Sequence, residues 1–266
     1  MLTIEEEGFL GIRVRDWIDG IRSKYSDFFE LATDVNKVCQ KVMLELDVKS
    51  RNSRGIIVAS LYIRSLNTFQ GLYLLAERGM MAQARILARA LMEGLFTLCA
   101  ISKKPELFDV LIKEDKKNRL KFLSKYRAFH GGKLPDTVDQ TEIEAIEKEL
   151  KANVKKESIR RRNTEEWAED AGLTSWYLTA YAVLSDSVHV KVRDLEDHLR
   201  IDERAEIVEF LWGPDDRDVA QILMTGIETM HFALGCTLSF FRVQRDKEIK
   251  ELRSRFEKLI PKISSL

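Results

Sequence analysis

The sequence predicts an all-α fold, a multi-helix bundle built on a central apolar helical hairpin, and three observations carry that prediction. Breakers are scarce, with 13 Gly and 4 Pro in 266 residues, while 32% of the chain is charged. That composition favours long helices over a sandwich or barrel. Between Arg54 and Ile101 two long apolar segments meet at Gly79, and both are apolar around most of their circumference, as helices buried among neighbours are. Outside the hairpin, apolar residues recur at the three-and-four spacing of a core-facing stripe.

Residues 4–22 place Phe9, Leu10, Ile12, Trp17, Ile18 and Ile21 among charges and read as one short amphipathic helix. A clearer helix runs from Asp27 to about Leu46 on Phe28, Leu31, Val35, Val38 and Val42. The polar stretch 47–53 leads into the hairpin. Its first helix ends at Gly79, a residue that accepts the left-handed backbone a helix end often needs. In its second helix the polar residues keep to a four-residue rhythm, Arg85, Arg89, Glu93 and Thr97, one slowly drifting stripe. Charges inside an apolar hairpin must find partners for the helices to pack.

Helical spacing resumes after Pro105 with Leu107, Phe108, Leu111, Leu120, Leu123 and Tyr126, and stops at His130-Gly131-Gly132, where His130 is most simply a helix cap. Residues 136–171 are dominated by Glu and Lys over a thin stripe of Ile143, Ile146, Leu150 and Val154, and are expected to form the most exposed helix. Lys155, Lys156, Arg160, Arg161 and Arg162 form a basic cluster at its end: a solvated helix end, or in the functional reading a contact surface for RNA. Asn163 with Glu166 has the form of a capping box that restarts a helix through Trp167. Gly172 and Thr174 introduce a second buried helix through His189, and 194–214 is the least helical stretch, with room for a short extended piece. Asp215 or Asp216 caps a last long apolar helix, and a charged helical tail carries Ile249, Leu252, Phe256 and Leu259 as far as Pro261. The organisation is one helical domain over 1–266, with bundle segments 54–129 and 174–242, a charged arm 136–171 and a C-terminal helix 243–266.

Lys plus Arg equals Asp plus Glu at 43 each, a balance that argues against broad affinity for nucleic acid or anionic membrane. Arg85, Arg89 and Glu93 interrupt the most apolar window, so a membrane span is not expected. The start, MLTIEEEGFL, lacks the basic and apolar regions of a secretory signal. Cys39, Cys99 and Cys236 have no zinc or disulfide spacing and read as reduced core residues of a cytoplasmic protein.

Three constellations have chemical potential. Arg89 and Glu93 are four apart on one helix; Tyr181, Ser185 and His189 follow the same interval on another, so two facing helices can present them together. The plain reading is a buried polar network; the functional one makes His189 a proton-transfer or ligand group beside Arg89. These patterns, Arg89-x-x-x-Glu93 and Tyr181-x-x-x-Ser185-x-x-x-His189, resemble an uncharacterised bacterial family of helical-bundle proteins of unknown function over roughly residues 54–189. The resemblance implies a bundle in which Arg89, Glu93, Ser185 and His189 face one another, and implies no activity. Second, Arg193 followed by His198 after four intervening residues resembles the ribonuclease signature of HEPN domains, small and often dimeric helical bundles of toxins and phage-defence proteins. That resemblance implies metal-independent attack by the RNA 2′-hydroxyl, with His198 moving a proton and Arg193 stabilising the phosphate. Its plain counterpart is an exposed charged loop. Third, Glu228-x-x-His231 has the spacing of carboxylate-bridged di-iron bundles but lacks the second copy such a site requires, and reads as a core histidine.

The expected function is therefore either a HEPN-like ribonuclease or its degenerate relative, or a non-catalytic ligand-binding or protein-interaction bundle. No cofactor and no metal are expected; RNA or a partner protein is the expected partner, and self-association is expected from the surplus apolar positions.

Overall fold

The computed structural model describes residues 4–132, 140–155, 161–185, 195–204 and 206–263. Its helices are α1 (Ile4–Glu7), α2 (Val14–Lys24), α3 (Ser26–Glu45), α4 (Ser53–Glu77), α5 (Met81–Lys103), α6 (Glu106–Phe129), α7 (Gln140–Lys155), α8 (Thr164–Ala171), α9 (Thr174–Trp176), α10 (Ala182–Ser185), α11 (Val219–Phe241) and α12 (Asp246–Ile263). A π turn over Tyr177–Tyr181 joins α9 to α10, and a small antiparallel hairpin pairs β1 (Leu199–Ile201) with β2 (Ile207–Phe210). The all-α expectation holds, and the extended piece falls where the helical pattern lapses.

The α4–α5 hairpin and α11 form the centre, with α3 laid against α4 and α11. Tyr62, Leu66 and Phe69 of α4, Leu91, Met92, Leu95 and Phe96 of α5, and Leu223 of α11 are fully buried or nearly so. Burying one such side chain contributes roughly 1.5–3 kcal/mol, so this three-helix contact dominates the stability of the fold. Gly79 has φ +71°, and a Cβ there would lie 2.7 Å from the Asp215 amide, which donates to the Gly79 carbonyl at 3.0 Å. The turn therefore needs glycine twice: for its backbone and for the chain crossing over it. At the other end of the hairpin, Arg54 donates to the carbonyls of Ile101 and Ser102 and closes the C-terminus of α5.

Several expectations are corrected. The segment 4–22 is not one helix: a 3₁₀ turn over Gly8–Leu10 and Gly11 separate α1 from α2. Helix α6 joins the bundle through its first turns, where Leu107 is buried and Phe108 and Leu111 pack against the core. Its second half leaves the core and meets α7, with Phe122 and Leu123 facing Ile143, Ile146 and Leu150, and Arg127 reaches Glu147 at 3.0 Å. The exposed arm is thus a helical pair rather than one helix. The capping box at Asn163 and Glu166 is present, whereas the cap of α11 is Asp218, not Asp215 or Asp216. Arg242, at φ +58°, separates α11 from α12, and α12 continues past Pro261 to Ile263. Finally, Cys99 and Cys236 form a disulfide between α5 and α11, correcting the expectation of three reduced cysteines; Cys39 alone is free. Residues 137 apart meet because the two helices are packed side by side.

Candidate functional site

Arg89 and Glu93 share one face of α5 because four residues return the helix almost to the same azimuth. Opposite them stands the π turn Tyr177–Tyr181, a local widening that occurs often at functional positions. It places Tyr181 against the core, 5% exposed, with its ring edge-on to Phe96 at 5.9 Å and stacked on Tyr177 at 5.2 Å. The Tyr181 hydroxyl accepts from Arg89 Nη2 at 2.8 Å and donates to Glu93 Oε1 at 2.7 Å. Arg89 also approaches Glu93 directly at 3.2 Å and lies over the Tyr181 ring at 5.1 Å. Cation, phenol and carboxylate form a closed triangle.

Burial, followed by the neighbouring Glu93 carboxylate, raises the Tyr181 phenol above its ordinary range, so it keeps its proton at neutral pH. The two charged ends differ in access. The Arg89 side chain is 15% exposed and that of Glu93 42%. The rest of the α5 stripe is also engaged: Arg85 pairs with Asp218 at 3.4 Å, and the Thr97 hydroxyl donates to the Glu93 carbonyl at 3.1 Å. Ser185, half-buried, is the last residue of α10. His189 lies outside the described residues, so of the five-residue constellation the structure brings together Arg89, Glu93 and Tyr181.

His198 ends a 3₁₀ turn, Glu196–His198, and leads into β1. It is exposed, and its Nδ1 lies 3.1 Å from the Leu211 carbonyl. In the neutral ring that contact fixes the proton on Nδ1 and leaves Nε2 as an acceptor. The imidazole lines an open groove of about 950 Å³ between the β-hairpin and the start of α5, together with Arg85, Arg200, Arg217 and Trp212. Each of those arginines already faces a carboxylate: Arg85 faces Asp218 at 3.4 Å, Arg200 Glu209 at 2.7 Å and Arg217 Asp215 at 2.6 Å. Arg193 lies outside the described residues.

Lys156 and Arg160 of the basic cluster also lie outside the described residues, and Lys155 ends α7. Arg161 is exposed. Arg162 is committed to the fold: it pairs with Asp170, donates to the Glu166 carbonyl at 3.2 Å and lies over Trp167 at 5.5 Å. His130 is the C-cap of α6, its ring against Tyr126 and Phe129. Among the described residues no group of three or more His, Cys, Asp or Glu is placed to hold a metal ion, and no helix is long and apolar enough to cross a membrane.

Sequence spacing singles out Arg89, Glu93 and Tyr181, but not the partners that neutralise the arginines of the groove. Asp215, Asp218 and Glu209 belong to stretches without helical periodicity, and only the crossing of the chain over Gly79 brings the first two to the start of α5. No curated protein and no solved structure matches the chain. The model of a family of unknown function, DUF5677, matches residues 55–207, more than half of the chain and the whole of the span that holds Arg89, Glu93, Tyr181 and His198. The chain belongs to that family.

Proposed function

We propose that this chain is a non-catalytic recognition bundle whose contact point is the Arg89–Tyr181–Glu93 triangle. The observation that carries the reading is the unequal access to its two charges, 15% for Arg89 and 42% for Glu93. A purely internal pair would be sealed at both ends. Here the cation is held inside against the phenol, and the carboxylate is open to a partner that brings a guanidinium or ammonium group, such as a basic side chain of another protein. The test is titration with arginine amide, followed by NMR at the Tyr181 ring. A saturable shift that disappears in Glu93→Gln is expected; no shift, or a shift unchanged in Glu93→Gln, overturns the reading.

Self-association and a cytoplasmic setting belong to the same proposal. Ile56 and Ile63 on α4 and Ile86 on α5 are each 39% exposed and give a second copy an apolar surface to cover. Light scattering at high concentration should give the mass of a dimer, and a monomer mass would remove that element.

A second reading, a HEPN-like metal-independent ribonuclease or a degenerate relative acting in defence or toxicity, is favoured by one contact. The Leu211 carbonyl fixes the His198 tautomer that a general base requires, beside a groove open to a large substrate. Growth arrest on expression, relieved by His198→Ala, supports it; unimpaired growth of cells that accumulate the wild-type chain counts against it.

A further inference from the structure

The second half of α6 carries an exposed patch that is both aromatic and basic. Between Lys116 and His130 the chain holds six Lys or Arg and no Asp or Glu, although the protein as a whole is neutral. Four-residue spacing sorts the patch into two parallel rows, one of Phe122, Tyr126 and His130 and one of Lys121, Lys125 and Phe129. Successive members of a row are separated by about 6 Å of helix rise. The rings touch in sequence: Phe122 stacks on Tyr126 at 5.9 Å, Tyr126 meets His130 at 4.7 Å, and His130 meets Phe129 at 5.1 Å. Phe122 is 65% exposed and Phe129 85%. A run of rings this open to water marks a contact surface.

The charges beside the rings differ in what they already hold. Arg119 bonds Asp115 at 2.7 Å and Arg127 bonds Glu147 at 3.0 Å. Lys121 and Lys125 are exposed, and neither pairs with a carboxylate among the described residues. The two rows therefore ask for different things from one partner. Exposed ring faces suit flat groups, and unpaired ammonium groups suit anions spaced along a chain. A nucleic acid strand supplies both, bases for the rings and phosphates for the lysines. It has to be single-stranded, because in a duplex the base faces are covered by one another. An anionic bilayer takes up apolar side chains of any shape and makes no use of rings in a row. An acidic protein answers the lysines alone. Because the chain as a whole is neutral, the attraction is local and strongly weakened by salt.

We propose that the second half of α6 binds single-stranded nucleic acid, with bases stacked on Phe122, Tyr126 and Phe129 and phosphates on Lys121 and Lys125. The surface is separate from the Glu93 contact and from the His198 groove, so its test leaves both of those readings as they stand. The probes are fluorescein-labelled oligouridine and oligothymidine of about 12 nucleotides, a length within the range of single-strand sites. Each is titrated with the full chain at low salt and followed by anisotropy. Saturable binding of either strand is expected, and the tighter of the two tells RNA from DNA. Phe129→Leu, which keeps the apolar bulk and loses the ring, should weaken binding about five- to 150-fold, the worth of one stacked base. Replacing both lysines, Lys121→Gln with Lys125→Gln, should lower the slope of log affinity against log salt by about 1.4, at about 0.7 for each phosphate contact. Both variants change exposed side chains, and an unchanged circular dichroism spectrum shows that they fold. The proposal is overturned by no saturable binding at low salt, by equal or tighter binding of oligothymidine annealed to its complement, or by unchanged affinity in Phe129→Leu. An unchanged salt slope in the lysine variant also overturns it. So does displacement of the strand by polyglutamate at equal charge, which would make the patch an acidic-protein contact. Sedimentation with phosphatidylserine vesicles, without binding of either strand, would make it a membrane contact and overturn the proposal as well.

Discussion

Two polar stations, Arg89 with Glu93 on α5 and His231 on α11, meet the cost of burial in opposite ways. At Arg89 and Glu93 opposite charges meet at 3.2 Å and Tyr181 bridges them. At His231 no partner is within reach among the described residues, and the charge is given up: the ring is neutral at pH 7. A buried ionisable group keeps its charge only where the fold supplies a partner, and otherwise shifts its pKa and becomes neutral. The difference separates a charge-paired network, open at its acidic end, from a buried group held neutral.

The largest effect that can break this comparison is the pH dependence of stability. His231 titrates at about 4 in the fold against 6.5 for an ordinary imidazole. Between these values the unfolded chain binds a proton that the folded chain refuses. The stability contribution is therefore complete above pH 6.5 and is lost as pH falls through about 4. At about 1.4 kcal/mol per unit, the loss is on the order of 3 kcal/mol. Urea unfolding across pH 7 to 4 measures it, and His231→Leu should flatten that part of the curve while Glu93→Gln leaves it in place. A wild-type curve of the same shape as His231→Leu would place a charged, partnered His231 in the fold.

Removal of the acid should come next. Glu93→Ala leaves the mostly buried Arg89 with only the Tyr181 hydroxyl and should cost about 1–3 kcal/mol at pH 7. The cost stays below that of breaking a fully buried pair, because Glu93 is partly solvated and water can reach the gap. Tyr181→Phe should cost less, about 1 kcal/mol, since Arg89 and Glu93 still meet directly at 3.2 Å. At the other station His231→Leu should be neutral or stabilising by up to about 1 kcal/mol at pH 7, because it removes an unsatisfied polar group from an apolar wall. A strongly destabilised His231→Leu would mean that the ring already has a partner, and the two stations would cease to differ.

The same contrast explains what the sequence reveals. Paired and capped features have local signatures: Arg89 and Glu93 are four apart, Asn163 and Glu166 spell a capping box, and Gly79 ends an apolar helix. These follow from helix geometry and can be read from spacing. Helix α6 misleads because Leu120 and Leu123 have the spacing of a core stripe, and spacing does not say whether the core or a neighbouring exposed helix covers it. The Cys99–Cys236 disulfide and the pairing of Arg85 with Asp218 are tertiary coincidences with no sequence interval to announce them. His231 is the extreme case. Its spacing from Glu228 suggests a metal ligand or an ordinary core residue, and only coordinates show that Glu228 turns to Arg253 while the imidazole has no hydrogen-bond partner among the described residues.

Recognition at Glu93 is separated from catalysis at His198 by incubating the purified wild-type chain and His198→Ala with RNA in the presence of a metal chelator. RNA should stay intact and identical in both samples over hours. Cleavage by the wild type that His198→Ala abolishes would contradict this expectation and move the function to the groove at the β-hairpin.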